Sequence, residues 1–98
     1  MIIFSDDAQA DLERIFEFNA ERGPATALDH IDTIRSAVLI LNDHPGIGRR
    51  ASSDSTLREL VISQGATGYV AIYEYFPLDN NVVIHAIRHQ RETGYLPD

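Results

Sequence analysis

The sequence predicts an α+β domain of order β-α-α-β-β-β, an antiparallel sheet of about four strands covered on one face by a helix hairpin. Three observations predict it. Two stretches in the first half place apolar residues at helical spacing, with one or two residues between the stretches. Three runs rich in β-branched and aromatic residues follow in the second half, each bounded by turn residues. Ninety-eight residues, 44% of them hydrophobic, can bury one core and no more. Residues 1–98 therefore read as a single domain.

The elements follow in order. Ile2-Ile3-Phe4 is a short apolar run ahead of a helix start and reads as a first strand. Ser5 or Asp6 can cap the helix after it, and Asp6 and Asp7 suit its positive end. Ala8, Leu12, Ile15, Phe16 and Asn19 form the inward stripe of that helix, with Asp11, Glu13, Glu17 and Glu21 assigned to the polar side. Gly23 stops it, and Pro24 opens a second helix whose inward face reads Ala27, Leu28, Ile31, Ile34, Val38 and Leu41. The short joint makes the pair an antiparallel hairpin. Residues 42–46 end the second helix, and residues 47–56 read as a loop of unusual length. Strands are expected at residues 57–62, 69–76 and 82–87. The last of these is apolar except for His85, which suits a strand covered on both sides.

Composition narrows the function. The net charge is −7 and there is no lysine, so all eight Lys and Arg positions are arginine. Phosphate contacts need cations, which argues against direct binding to free nucleic acid. Residues 1–48 hold nine acids and three arginines, a sum of −6; residues 49–98 hold six acids and five arginines, a sum of −1. The basic surface must come from Arg49, Arg50, Arg58, Arg88 and Arg91. The absence of cysteine excludes a disulfide framework. The N-terminus lacks the basic start of a signal peptide, and the longest apolar run, 37–41, is too short to span a bilayer, so a cytoplasmic, membrane-free protein is expected. No pattern calls for a cofactor. His85 and His89 lie four apart, about 13 Å along a strand, too far to share a metal ion.

The end of the last strand is where chemistry-bearing residues gather. Arg88, His89, Arg91 and Tyr95 fall within eight residues, where the strand should leave the core. A rigid strand that delivers cationic and aromatic groups to a sheet edge suits a binding or reacting site.

This order of elements, together with the phrases AQADLERIFEF, HPGIGRR, LRELVI, GYVAIYEYF and NNVVIHAIRHQRETGY, resembles the RelE/ParE superfamily of toxins from type II toxin–antitoxin pairs. The resemblance covers nearly the whole chain. It implies a small intracellular toxin neutralised by an antitoxin encoded beside it, of the kind reported as plasmid-stabilisation proteins. The superfamily divides into RelE-like ribosome-dependent mRNA endonucleases and ParE-like proteins that inhibit DNA gyrase.

The residues weigh one subclass against the other. Cleavage of RNA by its 2′-hydroxyl needs a base, an acid and cations for the developing phosphorane charge. The candidates here are Arg58, His89, Arg91 and Tyr95. RelE-like toxins carry an arginine after the tyrosine of the GY strand start, where this chain has Val70. Glu59, beside Arg58, would repel phosphate. The resemblance therefore points to a ParE-like protein-binding toxin that is not an enzyme. Its target or antitoxin interface would draw on Arg49, Arg50, Arg58, Arg88, His89, Arg91 and Tyr95. A ribosome-dependent endonuclease and a non-toxic antitoxin-binding homologue remain the alternatives.

Overall fold

The computed structural model describes residues 1–64 and 67–90. Strand β1 (Ile2–Phe4) leads into helices α1 (Asp6–Ala20) and α2 (Pro24–Val38), and a 3-10 turn over Leu39–Asn42 closes the helical half. Strands β2 (Arg49–Arg50), β3 (Leu57–Gln64), β4 (Thr67–Phe76) and β5 (Asn81–His89) follow. The sheet has five strands in the order β1-β5-β4-β3-β2. The expected α+β class and helix hairpin are present. Two details differ from the expectation. Arg49–Arg50, read as loop, pairs antiparallel with Arg58 and Glu59. The first strand lies parallel to β5, so the sheet is mixed. A two-residue strand leaves no periodic pattern to read, and pairing partners are set by tertiary packing.

Local chemistry explains the helix boundaries. The Ser5 hydroxyl accepts the Ala8 N–H at 3.1 Å and caps α1, with Asp6 and Asp7 in its first turn. Gly23 takes φ 131°, a conformation few other residues tolerate, and Pro24 starts α2 directly after it. Ala8, Leu12, Ile15, Ala27, Ile34, Val38 and Leu41 are buried as their spacing predicts. Leu28 is an exception at 54% exposed. The stripe through Ala27, Ile31, Ile34 and Val38 faces the sheet, and Leu28 lies one residue, or about 100°, off its start.

The sheet supplies the other half of the core. Tyr69, Ala71 and Tyr73 on β4, Ile62 on β3, and Val82, Ile84 and Ile87 on β5 pack under the helices. The β5 pattern departs from the sequence reading of a strand covered on both sides: burial alternates and then slips. Ile72 lies opposite Ala86, whereas Tyr73 lies opposite Ile84. His85 is therefore the extra residue of a β-bulge, which shifts the inward phase from Val82 and Ile84 to Ile87. That slip, with half-buried apolar residues at 83 and 86, makes a one-face strand look continuously apolar.

Two polar ties anchor the periphery. β1 covers β5 only at Val82–Ile84. Beyond it α1 takes over the edge: the Ser5 hydroxyl donates to the His85 carbonyl at 3.2 Å, Asp11 Oδ2 accepts the Ile87 N–H at 2.9 Å, and Arg14 donates to the Ile87 carbonyl at 3.4 Å. The same Asp11 oxygen receives Arg88 Nη1 in a short ion pair, and Asp11 is 9% exposed. On the far side, the fully buried Tyr73 hydroxyl accepts the Gly48 N–H at 2.8 Å. A Cβ on Gly48 would stand 2.5 Å from that hydroxyl and 2.8 Å from the Glu59 carbonyl, so only glycine fits.

Replacing Asp11 with Ala leaves the Ile87 N–H without its acceptor and takes the carboxylate away from Arg88, and should cost roughly 1–3 kcal/mol. Asn, which keeps one oxygen, should cost less; equal losses in urea unfolding for the two variants would contradict the assignment. Burial raises the Tyr73 pKa, opposed by the Gly48 hydrogen bond and the Arg58 charge. The unfolded chain then loses this proton first, so stability should fall as pH rises above about 10. Tyr73→Phe should flatten that slope while costing roughly 1–3 kcal/mol at neutral pH through the orphaned Gly48 N–H. Urea unfolding of both proteins across pH 8 to 11 measures the two effects.

Candidate functional site

The residues expected to form one interface fall into two groups on opposite sides of β4. Arg49, Arg50 and Arg58 belong to the β2–β3 edge; Arg88 and His89 belong to the end of β5. Arg91 and Tyr95 lie outside the described residues.

At the first edge the three arginines have different partners. Arg49 Nη2 donates to Glu59 Oε1 at 2.9 Å. The Glu59 side chain is only 2% exposed, whereas that of Arg49 is 71% exposed. Glu59 pairs with Arg49 and not with its chain neighbour Arg58, since strand neighbours point to opposite faces and Arg49 lies directly opposite Glu59. Arg58 Nη1 donates to the carbonyls of Gly46 at 3.1 Å and Gly48 at 2.8 Å, fixing the glycine turn of residues 46–48. Arg50 is exposed and lies opposite Arg58.

At the second edge Arg88 lies against Asp11. His89 lies edge-on to Tyr69, ring centroids 5.5 Å apart at 86°. Tyr69 is buried, and its hydroxyl meets His30 Nδ1 at 2.8 Å and Asn19 Nδ2 at 3.5 Å. Sequence reasoning passed over His30 and assigned Asp11 to the polar side, whereas Asp11 is buried. Asp11 carried a usable signal: it stands three residues after Ala8 and four before Ile15, on the flank of the buried stripe.

The sheet face turned away from the helices is poorly suited to phosphate. Glu59 and Glu74 both belong to it by strand alternation, with Val61 59% exposed between the strand ends. Glu74 is held by the Thr56 hydroxyl at 2.9 Å and by His85 Nε2 at 3.2 Å. His85 is thus half-buried with a carboxylate partner. Arg58 and His89 do not converge. Arg58 registers with Tyr73, and His89 with Tyr69, four residues along β4 and two strands across from Arg58. Strand geometry separates their Cα atoms by roughly 16 Å, and the Arg58 head is turned to the Gly46 and Gly48 carbonyls.

The opposite flank of the domain carries an apolar groove of about 570 Å³ between β1, the start of α1 and the end of α2. Ile2, Phe4, Leu12, Val38 and Leu39 supply its apolar walls, and Glu13 and Arg35 stand at the polar ones. Leu39 and Ile40 beside it are 59% and 42% exposed. No helix among the described residues is long and apolar enough to cross a membrane.

Comparison with known proteins gives this geometry its context. Residues 2–94 match the model of a family described as the ParE toxin of the type II toxin–antitoxin system parDE. The toxin RelE3 of Caulobacter vibrioides is 40% identical over 85 residues, which cover 87% of this chain and 88% of that one. A solved structure of the chromosomal ParDE system from P. aeruginosa superposes with a TM-score of 0.73 at 23% identity, covering 90% of this chain and 92% of the other. The fold, the order of elements and the match over nearly the whole chain agree, and the chain belongs to the ParE toxin family of type II toxin–antitoxin systems.

Proposed function

We propose that this toxin acts by binding a protein, DNA gyrase, in the cytoplasm, and that its neutralisation by an antitoxin encoded beside it serves plasmid stabilisation. The observation that carries the reading is the state of the described cations. Arg49 and Arg88 each lie against a carboxylate, and the remaining pair, Arg50 and Arg58, sits at the β2–β3 edge away from His89, Arg58 with its Nη1 already on two carbonyls. An mRNA endonuclease needs cations available to a phosphate in transition, gathered around one point. Here Glu59 and Glu74 occupy the outer sheet face, and Arg58 and His89 stand far apart. A partly apolar surface with rim arginines suits protein contact better.

The second reading, a ribosome-dependent mRNA endonuclease built on Arg58, His89, Arg91 and Tyr95, draws support from the RelE name of the 40% identical relative. Induced expression without antitoxin separates the two. The gyrase reading expects thymidine incorporation to stop first, with filamentous cells and intact mRNA. An early stop in amino-acid incorporation with cleaved mRNA would replace it with the endonuclease. Growth that never slows would leave a quiet antitoxin-binding domain.

The antitoxin would dock in the groove beside β1. The outer edge of β1 is unpaired in the sheet order, the groove is apolar, and the helix hairpin around it is rich in acids. An amphipathic segment with Lys or Arg on its polar face complements all three features. Leu39→Glu alters an exposed side chain and should leave the fold intact. It should weaken antitoxin binding at least about tenfold in calorimetry, the worth of one lost apolar anchor; unchanged affinity would move the antitoxin elsewhere.

A further inference from the structure

A second cavity, of about 360 Å³, lies where residues 50–56 fold beside the end of β4. Arg50, Arg58, Ser53, Ser55 and Tyr75 line it, with the Asp54 carboxylate also at its wall. Its central feature is a direct cross-strand pair of like charges, Arg50 opposite Arg58. Such a pair destabilises a sheet unless something between the charges compensates it. The two arginines are also unequal. Arg58 is pinned by the Gly46 and Gly48 carbonyls, both through Nη1, which aims its fork and leaves its other nitrogens to donate. The Arg50 side chain has no hydrogen bond or ion pair among the described residues. Ser55 Oγ accepts the Leu57 N–H at 2.9 Å, so its hydroxyl proton remains to be given.

We infer that this cavity is an oxyanion site, in which a phosphate group sits between the Arg50 and Arg58 guanidiniums and takes hydroxyl donors from Ser53 and Ser55. Guanidinium forks match the oxygen spacing of phosphate, and the bonds are charge-assisted. The anion relieves the like-charge opposition that the bare strands carry. By strand alternation Arg50 and Arg58 share the face of Tyr73, opposite the face that carries Glu59 and Glu74, so the site stands independently of the gyrase reading. Free phosphate and a phosphomonoester offer the same chemistry here.

The test is calorimetric titration of the full-length chain with inorganic phosphate and, in a second arm, with adenosine 5′-monophosphate, at constant ionic strength set by sodium chloride. Saturable binding is expected in at least one arm, and the tighter arm identifies the source of the phosphate group. Arg50→Gln should weaken it at least about tenfold, as expected for loss of a charge-assisted fork. Arg22→Gln, which removes an arginine from the turn between α1 and α2, should leave it within twofold. Thermal unfolding supplies a sign that general charge screening would not produce. Without phosphate, Arg50→Gln should melt at or above the wild type, because the like-charge pair is gone. In saturating phosphate it should melt below, because the wild type alone gains from the ligand. No saturation in either arm, or equal binding by wild type and Arg50→Gln, would overturn the site.

Discussion

The geometry of this domain depends on how one strand edge is closed. β5 is the second strand of the sheet, yet its neighbour β1 is three residues long and covers only a third of it. An open row of backbone groups beside a core is costly and invites pairing with other chains. The chain solves this with helix α1, whose first three turns lay Ser5, Asp11 and Arg14 along the uncovered edge. Asp11 is the central member. It accepts a backbone N–H that no strand is present to accept, and the Arg88 side chain compensates the charge this buries. Removing Asp11 would orphan the Ile87 N–H, and removing Arg88 would leave the nearly buried carboxylate less compensated, which is why such a pair specifies an arrangement more than it adds net stability. It fixes the angle of α1 to the sheet, and through the hairpin the position of α2.

That use of Arg88 changes what the end of β5 can do. A cation at the mouth of a buried strand invites a role in binding or catalysis. Once it closes an ion pair with a carboxylate that is itself nearly buried, its charge is largely spent inside the molecule. The bulge at His85 acts on the same strand from the other end. It lets Val82 and Ile84 face the helices at one end and Ile87 and His89 at the other, while Arg88 leaves the core face to reach the edge. A strand of strict alternation would bury His85 in its inward phase or turn Ile87 outward.

The helices and three long strands were legible because each carries a period or a run of β-branched residues bounded by turns. Ser5, Gly23 and Pro24 marked boundaries through chemistry that is local in the chain. The features that escaped are those in which distant residues meet. Arg49–Arg50 is a strand only because β3 lies beside it. Asp11 reads as a surface acid because helical periodicity records which face a residue is on, and not whether a strand edge waits there for an acceptor. The candidate site suffered the same limit. Arg49, Arg50 and Arg58 look alike in sequence, yet alternation sends Arg49 to Glu59 on one face and leaves Arg50 against Arg58 on the other. Tyr69 and Tyr73 belong to the core rather than to a platform for bases, as aromatic residues at period two in a strand usually belong to the covered face.

The state of these charges bears differently on a polyanion and on a protein surface. A polyanion gains affinity by releasing counterions from its phosphates, and the gain scales with the number of cations free to replace them. An arginine already in an ion pair contributes only after its carboxylate is displaced. For Arg49, whose head is mostly in water, the pair is weak and displacement is cheap; but it would expose Glu59, a buried carboxylate, to the same phosphates. For Arg88 it would strip Asp11 and the Ile87 edge together. Each cation offered to a phosphate on the outer face therefore uncovers an anion beside it, and the electrostatic gain cancels at close range. A protein surface imposes no such cost, because it can meet Val61 with apolar atoms and the paired charges with hydrogen bonds while leaving every internal pair in place.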